Sequence, residues 1–326
     1  MRDKNIIWIA WEDDGSIRSK VLAKEINAGF YTFTLFEGVR LLSPLRYFTA
    51  MLQTFFTLLK ERPGVLIVPS PSVFLAFFSA LAKPMFNYKL VIDLHTLCID
   101  LKGIKKFIRD FLNDYSLQYG NIVIVTNEPY KNKIKEKTDK KIFVLPDKIP
   151  DFNYELKKIP LKGKYNILFV CTFSEDEPWK DVIESAKFLD NDTVIYISGK
   201  NKPDKNNIPS NVILTGFLPD EDYQNLLRSV DIIMVLTNKE DCMVCGAYEA
   251  VAAEKPLILS DKKVLREYFD KGTVFTENNS KSIAESVNLT IKNNQRLKED
   301  IKELKRLRNT EWKESWKNLL EKLFFN

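Results

Sequence analysis

Runs such as VLIV (65–68), LVID (90–93), IVIVT (122–126), NILFV (166–170), TVIYIS (193–198) and DIIMVL (231–236) are apolar almost throughout instead of at every second residue. A strand with two apolar faces is covered on both sides, which is the signature of a parallel sheet under helices. Helical spacing fills the stretches between these runs. Ile17, Val21, Leu22 and Ile26 mark a helix over 17–27, and Pro44 opens another over 44–60. Further helices are expected over 73–82, 104–118, 179–189, 220–228, 245–253, 280–292, 296–308 and 311–325. The alternation runs along all 326 residues, a length that suits about two domains. Residues 146–164 carry three prolines and break the pattern. The expected fold class is therefore α/β, with two doubly wound Rossmann-like domains facing a cleft. The first would span 1–150, a linker 151–164 and the second 165–308, with a last helix over 309–326.

Composition narrows the function classes. Four cysteines do not make a disulfide scaffold. The uncharged stretch 63–82 contains Pro69, Ser70, Pro71 and Ser72, and 73–82 is half the length of a membrane span. With no signal-like start, a cytoplasmic location is expected. No G-x-G-x-x-G follows any strand, which argues against a dinucleotide dehydrogenase. The charge is uneven: residues 1–150 hold 22 Lys and Arg against 15 Asp and Glu, and the remainder 27 against 29. Such an excess suits an anionic partner as readily as an ordinary solvated surface. The basic stretches 102–109 and 131–141 lack the interleaved aromatics of a single-strand nucleic-acid surface, so no nucleic-acid partner is expected. They suit solvated helix faces, or an anionic membrane surface that would hold the protein on the inner face of a membrane. Phe48, Leu52, Phe55, Phe56 and Leu59 give helix 44–60 an apolar face, expected to meet the core.

Ligands of doubly wound sheets bind outside the carboxyl ends of the strands. After strand 231–236 comes TNKEDCMVCGAYEAVAAEKPLILS. Asp241 falls in the loop, and Glu249 just past the first turn of a helix that the chain enters through Cys245, Gly246 and Ala247. A helix start with small residues accepts anions through its free N–H groups and its dipole. Two acids flanking it suit a phosphorylated sugar compound. The residues alone leave open a plain strand-to-helix turn with solvated acids. Cys242 and Cys245 form a lone C-x-x-C; a zinc site wants four ligands, and no others are close in sequence.

Four stretches resemble, in order, the donor-binding domain of GT-B glycosyltransferases of the family-four type: NILFVCTFSEDEPWKDVIESAKFL, TVIYISGK, NVILTGFLPDEDYQNLLRSVDIIMVLTNKED and DCMVCGAYEAVAAEKPLI. The last resembles the family's E-x(7)-E element, with Asp241 standing for the first acid and Glu249 for the second. The resemblance is close over about 165–270 and loose over the first half. It implies that Glu249 binds the nucleotide ribose and that Asp241 and the backbone of Met243, Val244 and Cys245 hold the sugar and diphosphate. Phe217 and Leu218 would border the base, with Gly199 also on the donor side. The final helix, with Trp312, Trp316, Leu319, Leu320 and Leu323 on one face, would cross back onto the first domain.

Two features depart from the family. Its basic pair after the first strand of this domain, which neutralises the diphosphate, is missing: Thr172 stands where the Arg would fall and Pro178 near the Lys, with Lys180 close by. The first domain also lacks the usual glycine-rich turn and offers only Gly15. An unneutralised diphosphate is costly, so another cation must serve; Arg18, at the start of the first helix, is the expected one. The only histidine, His95, follows a strand and Asp93, where it could orient a hydroxyl or move a proton. The turn at Ser70, also at a strand end, would line the acceptor side together with Asp93 and His95, if it is more than a proline-rich turn. The expected function is a metal-independent glycosyltransferase carrying Asp241, Glu249 and His95 as its catalytic groups. It would move a sugar from a nucleotide-sugar, which is a substrate and not a cofactor, onto a hydroxyl of a glycan or lipid-linked glycan. The resemblance implies retention of anomeric configuration. The alternatives are a non-catalytic GT-B binding or regulatory partner and a sugar-nucleotide epimerase.

Overall fold

A computed structural model describes residues 5–12, 16–35, 42–70, 72–94, 103–152, 157–200 and 208–325. The chain divides into two units, Met1–Pro146 with Glu314–Asn326, and Asp147–Lys313.

In unit 1 the elements run β1 (Ile6–Ala10), α1 (Ile17–Glu25), β2 (Gly29–Thr32), α2 (Ser43–Glu61), β3 (Val65–Pro69), α3 (Val73–Phe86), β4 (Lys89–Asp93), α4 (Gly103–Tyr119), β5 (Ile122–Val125), α5 (Glu128–Lys135) and β6 (Lys141–Val144). All strands pair parallel in the order β2-β1-β3-β4-β5-β6. The strands β1, β3 and β5 are buried at every position, as continuous apolar runs demand.

Helix α2 corrects one expectation. Its core face is Ala50, Thr54 and Leu58. Phe48, Leu52, Phe56 and Leu59 point to solvent, and Phe55 is half-buried, its ring against Phe86. Apolar residues occupy both sides of this helix, so hydrophobicity alone does not say which side meets the sheet. Small Ala50 and Thr54 let the helix approach closely; the bulkier side takes what remains. Helix α3 continues four residues beyond its expected end, through Pro84, and stops at Asn87 in a left-handed conformation (φ 52°).

Unit 2 runs β7 (Tyr165–Phe169), α6 (Trp179–Ser185), β8 (Thr193–Ser198), β9 (Val212–Gly216), α7 (Asp220–Ser229), β10 (Ile232–Val235), α8 (Cys245–Ala252), β11 (Leu257–Ser260), α9 (Lys263–Tyr268), β12 (Thr273–Thr276), α10 (Ser280–Lys292) and the first part of α11 (Asn294–Phe325), whose residues from Glu314 onward belong to unit 1. Its strands are parallel in the order β12-β11-β10-β7-β8-β9, the doubly wound order whose direction reverses between β7 and β10. Short α9 was not expected from the sequence. The two helices expected over 296–308 and 311–325 are one 32-residue helix, because Asn309 and Thr310 weaken a helix without breaking it. Trp312, Trp316, Leu319 and Leu323 on it are buried.

Among the described residues, no helix is long and apolar enough to cross a membrane.

Candidate active site

The reversal between β7 and β10 opens a crevice at their carboxyl ends, and α8 begins there. Gly246 is the reason the helix sits so close. A Cβ at that position would lie 3.0 Å from Val170 and 3.1 Å from Val235, the residues at the two strand ends. The cap residue, Val244, has an aliphatic side chain and makes no capping hydrogen bond. Helix starts of this kind draw anions through their first N–H groups and dipole. Met243 and Val244 pack their side chains on the core beneath. Cys245 is exposed, and Cys242 and Asp241 are half-buried in the loop before the helix.

One turn into α8, the Glu249 Oε2 accepts a 2.5 Å hydrogen bond from the Tyr223 hydroxyl of α7. Burial raises the Glu249 carboxyl above its usual range; the Tyr223 bond pulls it back, and the charge of Asp220 adds to the rise. Burial and the Glu249 charge push Tyr223 well above the usual tyrosine value, so it remains the donor. The second acid of the sequence element is therefore held in one orientation by a phenol the sequence reading did not single out.

The loop after β7 has an unexpected occupant. Where the basic pair was sought, the Glu177 carboxylate accepts hydrogen bonds from the backbone N–H groups of Thr172 and Ser174, both at 2.9 Å. It also accepts from the Thr172 hydroxyl at 3.0 Å and the Cys171 thiol at 3.4 Å. The adjacent Phe173 is left-handed, φ 62°, which turns successive amides toward one anion. Burial, then Glu177, raise the Cys171 thiol far above its usual value, so it is a donor and not a thiolate. Lys180, expected near the diphosphate, stands exposed on α6 with its Nζ 5.3 Å over the Trp179 ring.

The same loop is tied to the one that carries Asp241. The Asn238 N–H donates to the Asp176 carbonyl at 2.7 Å, and Lys239 Nζ lies 3.2 Å from the Asp176 carboxylate. Burial opposes ionisation of Asp176, but bonds from Ser174 and Lys239 outweigh it and hold the carboxyl below its usual value. Behind them, Ser260 Oγ receives the Thr237 N–H at 2.9 Å and donates to Asn278 at 2.6 Å. The Asn278 amide returns to the Thr237 carbonyl at 2.9 Å. These bonds pin the entry to the Asp241 loop across β10, β11 and the residues after β12.

Gly199 directly follows β8 at φ 140°, with the Cys171 carbonyl only 2.5 Å from where a Cβ would be. Its N–H donates to the Gly216 carbonyl at 3.2 Å. It is held against the β7 loop, and Phe217, 74% exposed, and half-buried Leu218 follow Gly216.

Unit 1 corrects two expectations. Arg18 is not a spare cation. Its guanidinium grips Asp93 through Nε (3.0 and 3.1 Å) and Nη2 (2.9 Å), and donates to the Leu145 carbonyl at 3.0 Å. Arg18 is 8% exposed and Asp93 0%. Asp93 is accordingly a buried ion-pair partner and not a group that lines an open acceptor site. A charge at that depth needs its opposite, which is why the two are found together. Ser70, just after β3, donates its N–H to the Asp93 carbonyl at 3.0 Å, and its buried hydroxyl has no partner among the described residues. His95 lies outside the described residues.

A family model described as "Glycosyl transferases group 1" matches residues 151–308, nearly the whole of unit 2. Unit 2 is similar to the group 1 glycosyltransferase domain over those residues. No curated protein matches the sequence at a significant level. Among solved structures, the chain is similar to a sucrose-phosphate synthase from Thermosynechococcus elongatus (TM-score 0.76, 11% identity, 98% of this chain and 99% of that one). It is also similar to Anabaena HepE in complex with UDP and glucose (0.71, 12%, 99% and 100%) and to a glycosyltransferase from Rickettsia africae (0.71, 14%, 99% and 100%). At such identities the likeness shows the fold, which is GT-B. In unit 2 the acid-flanked helix start falls at the topological switch point, and the amides of the loop after β7 bind the Glu177 carboxylate.

Proposed function

We propose that the protein transfers a sugar from a nucleoside-diphosphate sugar onto a hydroxyl of a glycan or lipid-linked glycan, with retention and without a metal. The amides at the start of α8 take the diphosphate, Glu249 the ribose diol and Asp241 the sugar hydroxyls. Lys239, on the Asp241 loop, is the cation nearest in sequence to these groups; on donor binding its charge is shared between Asp176 and the diphosphate. Catalysis is then electrostatic support of the leaving diphosphate. The observation that carries this reading is the Tyr223–Glu249 pair one turn inside the helix that starts at the switch point, in a domain matched by the glycosyltransferase family model. HepE is recorded with UDP and with UDP-glucose, which makes UDP-glucose the first donor to try.

The test is a panel of UDP-, GDP-, ADP- and CMP-sugars read by thermal melting, since a ligand of the native state alone raises stability. Slow release of free nucleotide from the stabilising donor is then measured. One donor should raise the melting temperature, and its hydrolysis should be lost in Glu249→Gln and Asp241→Asn. Unchanged hydrolysis in both variants refutes the site. The Glu177-filled loop favours a second reading, a non-catalytic GT-B partner protein. That reading gains if a donor binds without any hydrolysis or transfer.

A further inference from the structure

We infer that the outer face of α2, α3 and α4 is a docking surface for an anionic lipid membrane. Leu45, Phe48, Leu52, Phe56 and Leu59 on α2 are spaced at 3, 4, 4 and 3 residues, the repeat of one helix face. All five are exposed, Phe56 by 64%. In a helix that only covers a sheet this stripe would be polar. The polar residues of α2 are elsewhere: the Thr49 and Thr57 hydroxyls donate back to their own helix carbonyls.

The neighbouring helices repeat the inversion. Phe107, Ile108 and Phe111 are exposed on α4, Phe107 by 69%, and Leu81 and Met85 on α3. Ring contacts join the three helices into one surface: Tyr47 to Phe74 at 4.9 Å, Phe55 to Phe86 at 5.6 Å and Phe77 to Tyr115 at 5.0 Å. Scattered exposed apolar residues are ordinary; a contiguous face of them marks an interaction site.

Charge selects the occupant. The three helices carry Arg46, Lys60, Lys83, Lys106 and Arg109 against Glu61, Asp110 and Asp114. Each acid faces a base: Glu61 with Lys60, Asp110 with Arg109, and Asp114 with Lys137, just after α5. The surface therefore pairs bulky aliphatic and aromatic side chains with surplus positive charge, the chemistry of helices that lie in the headgroup region of anionic membranes. No helix here would span; the contact is peripheral. The inference deepens the lipid-linked acceptor reading and explains how such an acceptor would be met, but its test needs no turnover.

The experiment is sedimentation of the full chain with vesicles of phosphatidylcholine alone or mixed with phosphatidylglycerol, at low and high salt, alongside the oligomeric mass in solution. The protein should be monomeric, pellet with the anionic vesicles, and release as salt rises. Phe48→Ser with Phe56→Ser should weaken binding at least about tenfold, and Lys106→Glu should weaken it several-fold. Both variants should keep the wild-type melting shift with the stabilising donor, so loss of vesicle binding and failure of the donor site are told apart. If the wild type ignores anionic vesicles, or both variants bind them as the wild type does, the inference is wrong. It is also wrong if the wild type is a dimer that Phe48→Ser with Phe56→Ser dissociates, for then a second copy covers the face.

Discussion

Replacing Arg18 by methionine would leave the Asp93 carboxylate fully buried with its principal counter-charge gone. The bidentate contact at 2.9–3.1 Å and the added bond to Leu145 place this pair among those whose one-sided removal costs about 3–5 kcal/mol. With a urea dependence of roughly 2 kcal/mol per molar for a domain of this size, unit 1 should unfold about 1.5–2.5 M earlier. Intrinsic fluorescence follows the change, because Trp8 and Trp11 are buried in unit 1. The double variant Arg18→Met with Asp93→Leu should recover most of the loss, since replacing both charges by apolar groups of similar bulk is often close to neutral. Donor-induced melting shifts, a property of unit 2, should be unaffected in the double variant. A loss under about 1 kcal/mol in the single variant, or a donor shift abolished while stability is retained, would refute the ion-pair reasoning and return Arg18 to the role of a ligand-facing cation.

Glu249→Gln keeps an acceptor for Tyr223 and removes a buried charge. The folded-state pKa of Glu249 is raised, so the wild type loses stability as pH rises from the ordinary carboxyl range through the folded value. The variant should melt higher than the wild type at pH 7 and alike below about pH 4, measured by calorimetry, while losing the donor-induced shift. Glu177→Gln takes a negative charge out of the β7 loop amides; affinity for UDP should rise about three- to tenfold, more so at low salt, and titration calorimetry showing weaker binding would count against it. For Lys255, burial is the main cause that lowers the ammonium pKa to about 8. The unfolded chain then holds more protons between pH 8 and about 10.4, so wild-type stability climbs over that window. Lys255→Met should be more stable at pH 7 by about 1–3 kcal/mol, a gain that fades by pH 10.5 in urea titrations.

What could be read in advance follows the range of the forces involved. Strand identity, the two-unit α/β plan and the GT-B resemblance rest on patterns carried along the chain: apolar runs, helical spacing, ordered motifs. The same holds for Asp241, Gly246 and Glu249, whose place at a strand end and helix start is a matter of neighbours in sequence. The chain's local chemistry says nothing of partners far apart along it. Arg18 with Asp93 at 75 residues' separation, Tyr223 with Glu249 at 26 and the Ser260–Asn278 brace of Thr237 exist only once the sheets are assembled. The outward Phe48 and Phe56 teach the same thing about burial. Where a helix is apolar on both sides, the side that meets the sheet is chosen by how closely backbones can approach, and that is decided by the packed layers and not by hydrophobicity.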